Sequence, residues 1–282
     1  MSKIKIASLA IAIIVLLLII SSYVANVIFD CRVKKEVKEF LSEVEKNSTI
    51  IEREDIEGLP LNVQKWLEYS GIIGREKINS VRLIQNADMR LGKDSSWMPV
   101  RAEQYFTISN PGFIWKAKIN VAPLIHIVGR DKYYEGKGSM IIKPLSLFTL
   151  ADSSGKEMDQ GAMLRYLAEI VWFPTAALED YITWEEIDNN IAKATMSYGG
   201  ITASGIFTFN EVGEVIKFEA ERYGEFDGEF KLELWSIPIR EYKEFDGIKV
   251  PTKGDVTWKF KERDFNWYNF ELIEIEYNNP IP

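Results

Sequence analysis

Arg165 and Glu169 stand four residues apart, with Trp172 three further on. On a helix that spacing puts both charges on one face. They belong to the segment Gln160–Trp172, which Asp159 can cap and which also holds Met163, Leu164, Leu167, Ala168, Ile170 and Val171. A helix this apolar must be mostly buried, and a charged pair on it needs partners. Two chemistries follow. The pair ties helix to sheet, which is the reading these residues favour, or it forms a polar patch at the mouth of a cavity. The second reading joins Glu103, Arg90 and Arg222 to the pair, with Trp115 on an apolar strand face that can line a pocket. Arg165, Glu169, Trp172, Trp115, Glu103, Arg90 and Arg222 are therefore the candidate ligand-binding residues. An enzyme would draw its acid or base from Glu103, Asp131 or Glu169.

Other chemistries are poorly supplied. One histidine, His126, and one cysteine, Cys31, cannot build a His-based zinc site or a Cys/His finger. His126 lies in an apolar run and reads as a hydrogen-bonded structural residue. No serine occupies a Gly-x-Ser-x-Gly elbow. Asp152, Ser153, Ser154, Glu157 and Asp159 lack the full ligand alternation of a calcium loop. No metal or cofactor is expected. Residues 1–29 contain only Lys3 and Lys5 as charges, leaving 32 basic and 42 acidic residues, a net of −10. Such a surface repels phosphate backbones, so no nucleic-acid partner is expected.

The elements that would position these residues begin with Ile6–Phe29, 24 residues without a charge. As a helix it measures about 36 Å against a hydrocarbon core of about 30 Å. No Ala-x-Ala site follows it, so a retained transmembrane anchor is expected rather than a cleaved signal. Arg32–Asn47 reads as an amphipathic stalk helix, with Val33, Val37, Phe40, Leu41 and Val44 on one face. Pro60–Ser70 reads as a short helix stopped by Gly71. Thr183 and Glu186 make a capping-box pattern for one more turn.

Elsewhere the period is two. Ser80–Arg90, Val100–Ile108 and Phe113–Val121 alternate apolar with polar residues, as half-buried strands do. Further strands fit Leu124–Val128, Ser139–Lys143, Ala192–Tyr198, Thr202–Phe209, Val215–Tyr223, Lys231–Ile239, Asp255–Phe260 and Trp267–Tyr277. Arg82, Asp88, Arg90, Arg101, Glu103 and Tyr105 fall on the alternate face of the first hairpin. Short connections argue for antiparallel neighbours. The expected fold is mainly β (α+β): a large curved antiparallel sheet or half-barrel of eight to eleven strands, with the Gln160–Trp172 helix on its concave face. The chain divides into an anchor (1–30), a stalk and linker (31–58) and one β-rich domain (59–282).

Arg165-Tyr166-Leu167-Ala168-Glu169-Ile170-Val171-Trp172-Phe173-Pro174 resembles the signature of a prokaryotic family of membrane-anchored proteins of unknown function. Leu59-Pro60, Ala102-Glu103-Gln104-Tyr105-Phe106, Pro111-Gly112-Phe113, Gly129-Arg130-Asp131 and Pro251-Thr252 also match. The likeness spans residues 59 to 277 and brings no activity with it. The curved-sheet build is similar to the half-barrels of lipoprotein carriers, which hold acyl chains. The leading expectation is a binding domain for a lipid or other apolar ligand, held at a bilayer through residues 6–29. The alternatives are a carboxylate-dependent enzyme and a scaffold in an envelope complex. A strict Lys/Arg count favours a cytoplasmic domain. A short N-terminal tail before a long domain favours the outside, and the location adopted is a single-pass membrane protein facing outward.

Overall fold

The computed structural model describes residues 3–45 and 47–278. The first helix, α1, runs unbroken over Lys3–Ser42. The expected membrane segment and stalk helix are thus one element, because no Pro or Gly interrupts the chain between them. α1 ends at Ser42 rather than Asn47. Among the described residues one helix is long and apolar enough to cross a membrane, and it is α1. α2 (Leu61–Ser70) follows Pro60 and ends at Gly71, whose φ of +79° makes the left-handed cap.

Thirteen antiparallel strands form one sheet. The first six are β1 (Ser80–Met89), β2 (Met98–Thr107), β3 (Gly112–Ala122), β4 (Ile125–Tyr134), β5 (Lys137–Pro144) and β6 (Ala151–Ser154). After α3 (Lys156–Glu169) and two 3₁₀ turns (Ile170–Trp172, Pro174–Leu178) come β7 (Ile182–Asp188), β8 (Ile191–Tyr198) and β9 (Ile201–Phe209). The last four are β10 (Val215–Phe226), β11 (Glu229–Phe245), β12 (Ile248–Lys259) and β13 (Phe265–Tyr277). Two strands exceed the expected set, β6 and β7. Thr183 and Glu186 lie on β7, where ladder pairing to β8 overrides the local helix-start pattern.

The spatial order is β6-β5-β4-β3-β2-β1-β13-β12-β11-β10-β9-β8-β7. Two meanders therefore meet at one non-sequential pair, β1 with β13. The connection from β6 to β7 joins the two extreme edges, and α3 carries it. α3 packs on β4, β5 and β6 from one meander and on β8, β9 and β10 from the other. A sheet this long must curl, and here it curls around that helix. The edges approach at one rim, where the β4–β5 turn meets the β8–β9 turn. A Cβ on Gly136 would sit 2.8 Å from the Gly199 Cα, and both glycines have positive φ.

The main core fills the concave face, between the sheet, α2 and α3, with Trp66, Phe106, Phe113, Tyr166, Phe173, Phe207 and Phe218 all buried. A second cluster lies on the convex face. There Phe29, Val33, Val37 and Phe40 of α1 cover Tyr105, Ile114 and Val128.

Candidate functional site: a charge cluster on the concave face

α3 begins at Lys156, with Gly155 as its N-cap, not at Asp159. The Asp159 carboxylate is engaged by β5 instead, accepting from the Gly138 amide at 2.7 Å and from Lys137 Nζ at 3.0 Å. This docks the first turn of α3 and sets the direction in which Arg165 and Glu169 project. Arg165 Nε donates to Glu169 Oε1 at 2.9 Å, and its terminal nitrogen Nη1 donates to Asp131 Oδ2 at 2.7 Å. Gln104 Nε2 donates to the other Glu169 oxygen at 2.8 Å. The guanidinium also lies over the rings of Phe113 and Trp115, 4.9 and 5.0 Å from their centroids. One cation thus serves α3, β4 and β3 together, and Glu169 ties α3 to β2.

Burial raises the Glu169 carboxyl above its ordinary range, against the opposing pull of Arg165 and Gln104. Burial likewise raises the neighbouring Tyr268 phenol, whose hydroxyl reaches Gln85 Oε1 at 3.4 Å. The cluster is not sealed: the Arg165 side chain is 17% exposed and those of Asp131 and Glu169 are 11% exposed. Asp131 Oδ1 is buried without a partner among the described residues.

Arg222 on β10 faces the same concavity. Its Nε donates to the Gly161 carbonyl of α3 at 3.0 Å, and its guanidinium stacks on Trp235 (4.8 Å) and Trp258 (5.6 Å). Among the described residues no carboxylate comes within 4 Å of it, although Glu233 is its register partner on β11. Its two terminal nitrogens have no acceptor there. Burial, joined by the nearby Arg165, lowers this group to about 10 against the opposing pull of Asp131 and Glu169. It is still a cation at neutral pH.

The other three candidates lie elsewhere. Glu103 faces the convex side, accepting from Arg82 Nε at 2.7 Å and from the Tyr105 hydroxyl at 2.9 Å, with Lys116 3.9 Å away. It is one member of an outward ion-pair group that includes Glu274 and Glu276. Arg90 stands at the end of β1, donating to the Asn266 and Lys93 carbonyls and lying over Trp97. Trp172 is buried in the core, its indole N–H donating to the Pro251 carbonyl at 3.0 Å. The structure therefore brings together Arg165, Glu169, Trp115 and Arg222. It adds Asp131, Gln104, Trp235 and Trp258. Gln104 had a legible signal, since it holds an inward position on an otherwise apolar strand face. His126 faces outward, 3.1 Å from the Ser146 hydroxyl.

As chemistry, Asp131 and Glu169 neutralise one guanidinium between them. Arg222 is left as a half-buried cation with open donors among aromatic rings. Fold and cluster together define a single curled sheet wrapped on one helix, with a charged group on its apolar inner face.

The chain belongs to a family of unknown function, DUF6544, whose pattern it matches over residues 49–270. No curated protein matches it. Among solved structures it is similar to a DUF1329 family protein from Desulfovibrio piger, at 9% identity and a TM-score of 0.46, covering 78% of this chain and 93% of that one. A LolA superfamily protein from Nitrosomonas europaea shows 12% identity and a TM-score of 0.44, over 79% and 96% of the two chains. An outer membrane lipoprotein-sorting protein domain from Vibrio parahaemolyticus shows 8% identity and a TM-score of 0.37, over 72% and 87%.

Proposed function

We propose that this protein is a membrane-anchored binding domain for a lipid-like ligand, an apolar chain ending in an anionic group. α1 is the anchor. The binding surface is the part of the concave face that the core and α3 leave partly open, and Arg222 takes the anionic end. One observation carries the reading: a cation packed on two indoles on the concave face, with no carboxylate within 4 Å among the described residues. A cation partly removed from water gains from a counter-ion, and a ligand anion would supply one. The half-buried apolar side chains of Trp115, Ile127, Phe226, Phe260 and Trp267 border the same core and offer surface to the chain.

Native mass spectrometry of the full-length protein, extracted and washed in a mild detergent, tests this. The expected spectrum shows an adduct of anionic-lipid mass, lost in Arg222→Gln and kept in Arg101→Gln, whose side chain lies on the opposite face. A protein free of adducts after extraction from lipid-rich membranes, or adducts indifferent to Arg222, would refute it.

A further inference from the structure

α1 runs alongside β4. Asn26 meets the group formed by Ser146 and His126, Glu36 lies 3.3 Å from Arg130, and the Phe40 ring packs edge-on against Tyr134. Continuing toward the helix N-terminus, the Ser22 hydroxyl donates to the Leu145 carbonyl at 2.8 Å. The β3–β4 turn lies beyond His126 in the same direction. The Leu145 amide donates to the His126 carbonyl at 2.8 Å, so this turn and the β5–β6 loop sit side by side at the height of Ser22.

Both loops carry exposed apolar side chains. Leu124 is 76% exposed, Phe148 61% and Leu150 68%, and Val121 and Ile125 are exposed beside them. Leu124 and Leu145 hold positive φ values of 65° and 52°. That conformation is unfavourable for a leucine, so these tips are held in shape by the surrounding structure. Lys118 and Lys143 flank Val128 on the outer face, about 10 Å behind Ile125 at the usual strand rise. Asp30 and Asp152 are the acids at this end.

The helix sets the height of the bilayer. A hydrocarbon core of about 30 Å takes about 20 helical residues, which from Ile6 extend to Ala25. Yet the protein's contact with α1 already begins at Ser22. An upright helix cannot satisfy both unless the two loops sink into the bilayer boundary.

We infer that the β3–β4 turn and the β5–β6 loop are a second membrane contact, inserting Leu124, Ile125, Phe148 and Leu150 at the acyl–headgroup boundary while Lys118 and Lys143 meet the lipid phosphates. The inference rests on α1 being an anchor. The loops fix the height and tilt of the domain, so that it rides on the bilayer surface.

The test uses full-length protein carrying Cys31→Ser, reconstituted in vesicles of phosphatidylcholine and phosphatidylglycerol. An environment-sensitive fluorophore is placed in turn at Leu124→Cys, Phe148→Cys, Ile13→Cys and Val212→Cys. Spin-labelled lipids quench at head-group depth or mid-chain. Expected is a blue shift and loss of most emission at Leu124 and Phe148 with the shallow quencher, quenching of Ile13 by the deep one, and no change at Val212. Quenching at Ile13 with none at the loops would overturn the inference and leave the anchor standing. Loops that are blue-shifted yet unquenched would assign the patch to a protein partner and overturn it too. An unquenched Ile13 would overturn the anchor and the inference with it. Should a label disturb the circular dichroism spectrum, Val121→Cys and Leu150→Cys carry the same test.

Discussion

Arg165 and Arg222 differ in how their charges are met on the concave face. Arg165 is balanced by Asp131 and Glu169, and removing one member of such a buried group leaves an uncompensated charge. Arg165→Met is expected to cost about 3–5 kcal/mol in urea unfolding, with a cost below about 1 kcal/mol contradicting the structural role. Glu169 gives a pH signature. Its carboxyl is raised above the ordinary value of 4.5 by burial, so the folded protein holds that proton more tightly than the unfolded chain. Stability from this group is full below pH 4.5 and lost as pH climbs through the raised value. Relative to the parent, Glu169→Gln should therefore gain stability between pH 4.5 and neutrality, and a constant difference across that window would contradict the shift. The helix pair was legible from its spacing alone. Its partners Asp131 and Gln104 come from strands 34 and 61 residues away, and no local period encodes that meeting. Glu103 was grouped with the pair by charge, but strand alternation already placed it on the opposite face from Gln104.

At the scale of elements, α3 decides where the site is built. A Cβ on Gly138 would stand 2.3 Å from the Met158 carbonyl oxygen, which makes β5 the seat for the first turn of α3. Gly138→Ala should lift that turn and cost about 1–3 kcal/mol by overpacking. Faster hydrogen exchange in residues 156–160 would report it, and unchanged exchange and stability would contradict it. Strand existence was readable wherever alternation ran for eight residues or more. β6 has four residues and β7 follows a misleading capping pattern, so both depend on ladder pairing for their existence. The start of α3 was misplaced for a related reason: Asp159 has the chemistry of a cap but spends it on Gly138 and Lys137.

The whole molecule is one sheet with two covered faces. α3 and the core occupy the concave side, and α1 lies along the convex side through Val33, Val37 and Phe40. Replacing Val37 by Asp buries a charge in that seam. It should free residues 30–42 to limited proteolysis while the strands keep their exchange protection, whereas a helix that stays protected would contradict the packing. The curled sheet and the apolar N-terminal segment were legible from composition and period. The continuity of α1 and the loops beside Ser22 were not, because they arise from a helix and a sheet meeting across 123 residues. The concavity is proposed to hold an apolar chain with an anionic end. The most direct measurement is photo-crosslinking of the full-length protein with a fatty acid carrying a diazirine on its chain, followed by peptide mapping. Adducts are expected in 113–119, 222–226 and 256–260, competed by unlabelled fatty acid and lost in Arg222→Gln. Adducts confined to α1, or unaffected by competitor, would contradict it.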